Sequence, residues 1–186
     1  MNCVKGFCQK KKYKKLQEVY RFDPWHISAY ELRKYLQDVA GYISSKKPDV
    51  VVDIGCGLGD MLRHTDAKVK IGMDIHDDVL EAAMTLDGDI QYIQGSFEEL
   101  KVEGPIDYVT SFGFMHGGTD ERWSIPYQSA AENNDIRHFI VDVYPEDGTT
   151  HQLHFENILP DNYKKIEQMG PYLGGRIIEV YEKTEG

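Results

Sequence analysis

Cysteine is scarce in this chain, with three in 186 residues. Cys3, Cys8 and Cys56 are an odd number and too few for a disulfide framework, and Cys3 and Cys8 have no second pair downstream to complete a zinc site. Free thiols and no metal are expected. Long apolar runs are missing too, since none approaches the roughly 18 residues that a membrane span requires. The chain opens on Met1-Asn2-Cys3-Val4-Lys5-Gly6 without the apolar stretch of a secretory signal, so the expected location is cytoplasmic. Internal repeats and low-complexity linkers are absent as well.

Positive charge is in short supply outside the first residues. The net charge is −10, yet residues 1–15 hold six lysines and no acid, which leaves −16 on the rest. A body that acidic repels phosphate backbones, so no nucleic-acid partner is expected. Lys10, Lys11, Lys12, Lys14 and Lys15 read as a solvated tail or the wet face of a helix.

Hydrophobic residues at 41% and charged residues at 28% fit an ordinary globular protein with one sizeable core. Residues 28–186 read as a single domain, and 1–27 as an extension. Its aromatic stretch, Tyr20-Arg21-Phe22-Asp23-Pro24-Trp25-His26, is expected to fold back as a lid. Ser28 with Glu31 forms a capping-box pattern that predicts a helix, whose apolar face is Leu32, Tyr35, Leu36, Val39, Ala40 and Ile43. Strands and helices then alternate: strands over 50–54, 69–75, 90–93, 108–114 and 137–144, helices over 58–64 and 78–85, and a further helix within 117–135. Residues 161–169 read as helical and 176–181 as a final strand, while 146–159 fit no element. This order predicts a doubly wound α/β fold of the Rossmann type. Its mostly parallel sheet would have about six or seven strands, with helices on both faces.

The chemistry concentrates after the first strong strand. In Val51-Val52-Asp53-Ile54-Gly55-Cys56-Gly57-Leu58-Gly59, three alternate glycines let the backbone bend sharply and approach a ligand. Asp74 stands 21 residues after Asp53, at the end of the second strand, where an acid can accept hydrogen bonds from the hydroxyls of a ribose. A nicotinamide fingerprint would want glycine where Asp60 stands, and no Lys-Ser/Thr pair follows to make a phosphate loop. A cofactor without a pyrophosphate fits better.

These residues resemble the class I methyltransferase family, whose first motif is a hydrophobic strand, an acid and GxGxG. Ile71-Gly72-Met73-Asp74-Ile75 is similar to the second motif and Gln94-Gly95-Ser96-Phe97-Glu98-Glu99-Leu100 to the third, with Ser96 where the family often has an acid. Pro105-Ile106-Asp107-Tyr108-Val109-Thr110-Ser111-Phe112 resembles the fourth strand. The resemblance covers about residues 48–145 and implies S-adenosylmethionine as cofactor. On that implication Gly55 and Gly57, with Asp53 nearby and Gly59 completing the loop, pack against its methionine part. Asp74 holds the ribose, and Ile75, Ser96 and Phe97 flank the adenine.

A hydroxyl acceptor needs its proton removed, and His116, just past the fourth strand, is the leading candidate for that base. His26 and Asp142 are weaker candidates. The Asn/Asp-Pro-Pro-aromatic motif of enzymes that methylate base nitrogens is replaced here by Ser111-Phe112-Gly113-Phe114. The acceptor is therefore expected to be a small molecule or sugar, such as a glycan precursor. The lead-in 22–26 is similar to small methyltransferases of bacterial surface-glycan pathways. The alternatives are a non-catalytic cofactor-binding subunit of a methyltransferase complex and an NAD-dependent oxidoreductase or epimerase.

Overall fold

The structure is a computed structural model that describes residues 2–115, 118–146 and 152–184. Its centre is a seven-stranded sheet in the order β3-β2-β1-β4-β5-β7-β6. The strands are β1 (Val50–Ile54), β2 (Val69–Asp74), β3 (Gln91–Gln94), β4 (Pro105–Ser111), β5 (Asp135–Val143), β6 (Tyr163–Met169) and β7 (Ile177–Lys183). β1 to β5 pair in parallel, whereas β7 runs antiparallel to both β5 and β6. The helices are α1 (Asn2–Tyr20), α2 (Lys34–Ser45), α3 (Asp60–Arg63), α4 (Asp77–Met84), α5 (Asp120–Asn133) and α6 (Phe155–Ile158). This is the expected doubly wound fold, with its last strand reversed.

β1 shows how the sequence places the core. Its β-branched run is buried on both faces, as a central parallel strand demands. Val51 packs with Leu36, Val39 and Ile43 of α2 and with Met61 and Leu62 of α3. Val52 packs on the other face with Tyr127, Phe139 and Phe155, beneath α5 and α6. Complete burial of such side chains stabilises by about 1.5–3 kcal/mol each.

Three expectations need correction. The helix expected from Ser28 starts at Lys34, and a 3-10 turn, Tyr30–Leu32, stands in between. Tertiary contacts override the capping box there: the Tyr30 ring stacks on His64 at 3.7 Å, and Arg33 pairs with Asp60. Leu32, placed on the buried face by spacing, is exposed. Residues 161–169, expected as a helix, form β6. Tyr163, Ile166 and Met169 recur at a spacing of three that imitates a helical face. A bulge between Lys165 and Glu167 supplies the extra residue that shifts the strand's phase and leaves Ile166 outside. The fourth strand spans 105–111 instead of 108–114, so Phe112 and Phe114 lie in the loop beyond it.

The basic start is a 19-residue helix. Its lysines at 11, 12, 14 and 15 are exposed, but Tyr13 is fully buried and donates its hydroxyl to Asp60, as does the Gln9 amide at 3.1 Å. Asp60 also pairs with Arg33 and Arg63, so one carboxylate ties α1, α2 and α3 together. After α1 the chain turns at Arg21, and Phe22 buries itself against Leu58 and Val79. Among the described residues no helix is long and apolar enough to cross a membrane.

Candidate functional site

β1 ends at Ile54, and residues 55–59 carry the chain into α3. Gly55, Gly57 and Gly59 all have positive φ, at 72°, 52° and 71°, a region that side chains disfavour. A Cβ on Gly55 would lie 2.6 Å from Phe114, and one on Gly57 would lie 2.8 Å from His26 Nδ1. Those two glycines present bare backbone to a cavity. Gly59 instead faces the Tyr92 hydroxyl, so its freedom serves packing and the start of α3.

The loop is held from β2. The Gly57 amide donates to Asp74 Oδ2 at 2.9 Å and the His76 amide to Oδ1 at 3.1 Å, while the Cys56 amide donates to the Met73 carbonyl at 2.9 Å. Each carboxylate oxygen of Asp74 keeps a lone pair for a ligand. Asp53 lies inside β1 and accepts from the Thr110 hydroxyl at 2.6 Å. Burial raises its carboxyl pKa to about 7. Burial likewise pushes the Cys56 thiol well above its usual range, so this cysteine is an inert filler.

A cavity of about 950 Å³ opens over the carboxyl ends of the strands. That is near the upper end of the roughly 300–1,000 Å³ typical of ligand pockets, room for a cofactor and a second small molecule. One half is walled by Gly55, Cys56, Gly57, Asp74, Ile75, Gly95 and Ser96, the other by Tyr35, Phe112, Tyr144, Tyr172 and Arg176. Trp25 and His26, on the 3-10 turn Pro24–His26, stand over the loop. Thus Gly55, Gly57, Asp74, Ile75 and Ser96 come together on one wall. Asp53, Gly59 and Phe97 do not line it: Phe97 is core, its ring 4.4 Å from that of Tyr127. His116 lies outside the described residues. Asp142 is buried, accepts from the Gly113 amide and pairs with Arg176, so it supports the wall from behind.

His26 faces the loop from the other side. Its Nε2 is buried without a hydrogen-bond partner, and burial holds the ring's pKa below the ordinary histidine value, against the pull of Asp74. The imidazole is therefore neutral at pH 7 and can accept a proton. Arg33 Nε and Arg176 Nη1 are also buried without partners, and both residues line the cavity.

The aromatic half was not read from the sequence. Phe112, Phe114 and Tyr144 follow directly on β4 and β5, so the rule that ligands sit at strand carboxyl ends points to them. Arg176 needed the reversal of β7: Ile177, at the start of β7, pairs with Val143 at the end of β5, which delivers residue 176 to the ligand side.

Residues 51–132 match the family model described as a methyltransferase domain. No curated protein sequence matches the chain. Among solved structures, the magnesium protoporphyrin IX methyltransferase of Synechocystis PCC 6803 with bound S-adenosylmethionine is 14% identical, with a TM-score of 0.68 over 98% of this chain and 97% of that one. The N-methyltransferase NodS of Bradyrhizobium japonicum WM9, in complex with S-adenosylhomocysteine, is 12% identical, with a TM-score of 0.70 over 93% and 98%. A small RNA methyltransferase is 15% identical, with a TM-score of 0.60 over 83% of this chain and 25% of that one. At these identities the likeness shows the fold and leaves the acceptor open. The family match spans the glycine loop, Asp74 and β4, so residues 51–132 carry a methyltransferase domain, and the sheet order is that of the class I S-adenosylmethionine-dependent methyltransferase fold.

Proposed function

We propose that this chain methylates a hydroxyl of a small molecule or sugar. The observation that carries this reading is the division of one cavity into two walls. A glycine loop with its acid faces a separate aromatic chamber. The cofactor would lie along Gly55 and Gly57, its ribose on Asp74 and its adenine between Ile75 and Ser96. When bound, it supplies a methyl group already activated on a sulfonium.

The chain's own task is then to orient the acceptor, exclude water and hold a proton. Tyr35, Phe112, Tyr144 and Tyr172 give the acceptor flat apolar surfaces. His26, neutral and with Nε2 unpartnered, accepts the hydroxyl proton from above the loop. His116 is the competing base on sequence grounds. The chamber's rings and the strongly acidic body support a small acceptor over a nucleic acid.

Calorimetry with S-adenosylmethionine and S-adenosylhomocysteine, followed by transfer of labelled methyl into fractionated metabolites and glycans, tests this reading. Replacing the true base by alanine should lower turnover by on the order of 10²–10⁴ with cofactor binding nearly intact. His26→Ala is expected to do so, and a pH–rate profile unchanged in that variant but flattened in His116→Ala would transfer the role. No heat with either cofactor form, together with saturable binding of a nicotinamide nucleotide, would overturn the whole reading.

A further inference from the structure

We propose that Arg176 anchors an oxyanion, a carboxylate or a phosphate, carried by a flat acceptor; this rests on the methyl-transfer reading only in calling that molecule the acceptor. The guanidinium lies over the Tyr35 ring at 3.9 Å and over the Tyr144 ring at 4.7 Å. Ring contacts of this kind fix its plane, so its remaining bonds must be made edge-on, the geometry in which arginine meets an oxyanion with two parallel bonds.

Its existing partner does not use that capacity. Asp142 reaches Nε at 3.5 Å, beyond good hydrogen-bonding distance, and also accepts from the Gly113 amide at 3.2 Å. Nη1 is buried with no acceptor at all. A buried charged donor left unpartnered is unfavourable unless something else arrives to accept from it.

The unpartnered guanidinium donor itself calls for an acceptor, and the acids lining the cavity do not supply one. Among the described residues lining the cavity, the cations are Arg33, Lys34 and Arg176 and the acids only Asp60 and Asp74. Asp74 already accepts from two amides on the cofactor wall, and Asp60 is taken by two arginines. Lys34 pairs with Asp38 and Asp142 stands behind Arg176, so what the chamber leaves unmet is the Nη1 donor, which has no acceptor on its own wall. Phe112 and Tyr172 lie beside the same space, their rings 6.0 and 6.3 Å from that of Tyr35. A planar body there would stack on rings while its oxyanion meets the guanidinium edge.

The test uses the full chain, with and without saturating S-adenosylhomocysteine, and follows the Arg176 Nε–Hε magnetic resonance signal, assigned by its loss in Arg176→Lys. Benzoate, phenyl phosphate, inorganic phosphate and the uncharged benzamide are titrated in turn. One oxyanion should saturate with a Kd of roughly 1 mM or tighter, at least about tenfold below that of benzamide. Preference for benzoate assigns a carboxylate, preference for phenyl phosphate or phosphate a phosphate. In Arg176→Gln, which lacks that signal, the gap read instead from the backbone amide signals of residues 172–177 should close while the calorimetric affinity for S-adenosylhomocysteine stays within about twofold of wild type. If that variant fails to fold, the wild-type gap between benzoate and benzamide decides. No anion moving the signal up to about 50 mM, benzamide binding equally well, or a gap that survives in Arg176→Gln would each overturn the proposal. Failure of S-adenosylhomocysteine to bind would sink the methyl-transfer reading while leaving the anion titration of the free chain to judge Arg176.

Discussion

Asp53 and Asp74 stand at or beside the carboxyl ends of neighbouring strands, β1 and β2, yet the fold gives them opposite surroundings. Asp74 opens on the cavity and holds two loop amides, so Asp74→Ala removes an acceptor for those amides and, on the proposed reading, for a ribose. Cofactor affinity measured by calorimetry should fall by on the order of 2–3 kcal/mol, roughly 30- to 150-fold. Asp53 is sealed behind the loop with its pKa raised to about 7 by burial. Its unfolded pKa is about 3.9, so between these values only the native state holds the proton, and the stability that is full below about pH 4 falls as pH rises. That stability is lost as pH rises through 7. Asp53→Asn should remove the loss, up to about 4 kcal/mol, seen as a urea midpoint that no longer drops between about pH 4 and pH 7. Glycine spacing and the 21-residue offset made Gly55, Gly57 and Asp74 legible in sequence. Gly59 and Phe97 share the motif strings but face Tyr92 and Tyr127, because a string does not record which side of a turn lines the cavity.

Elements follow the same division between local and distant causes. β1 to β5 are legible because a buried parallel strand writes its own apolar run. The true start of α2 is not, because Tyr30 and Arg33 answer to His64 and Asp60, some 30 residues away. Nor is β6, since a bulge defeats the alternation that would reveal a strand. The turn Pro24–His26 is the element with most to test. Phe22 roots it in the core, His26 covers Gly57 and Trp25 stays exposed. We propose that it moves as a lid. In a Trp123→Phe variant the emission left is that of Trp25, and cofactor with acceptor should shift it and slow protease cleavage across 10–27. Unchanged emission and cleavage would make the turn a fixed wall.

For the molecule as a whole, charge and connectivity set what can approach. The −16 carried by residues 16–186 opposes polyanions, and the exposed lysines of α1 are too few to reverse it. A DNA duplex or transfer RNA should therefore show no saturable binding tighter than roughly 100 µM at physiological salt, as read by fluorescence anisotropy. Saturation well below that would return a nucleic acid to the list of acceptors. The reversed final strand has a consequence of another kind. Because β7 begins where the parallel strands end, the β6–β7 hairpin, on the sheet edge farthest from β2 and β3, is the piece that brings residues 172–176 to the chamber. On the proposed reading the hairpin adds Tyr172 and Arg176 to a chamber completed by Tyr35, Phe112 and Tyr144, and it is fastened by β5 against β7 and by Tyr172 on Asp38. A hairpin transplanted from a chain of the same fold would exchange one acceptor preference for another while the donor half kept its grip, so descent within this architecture can diversify products without rebuilding the engine.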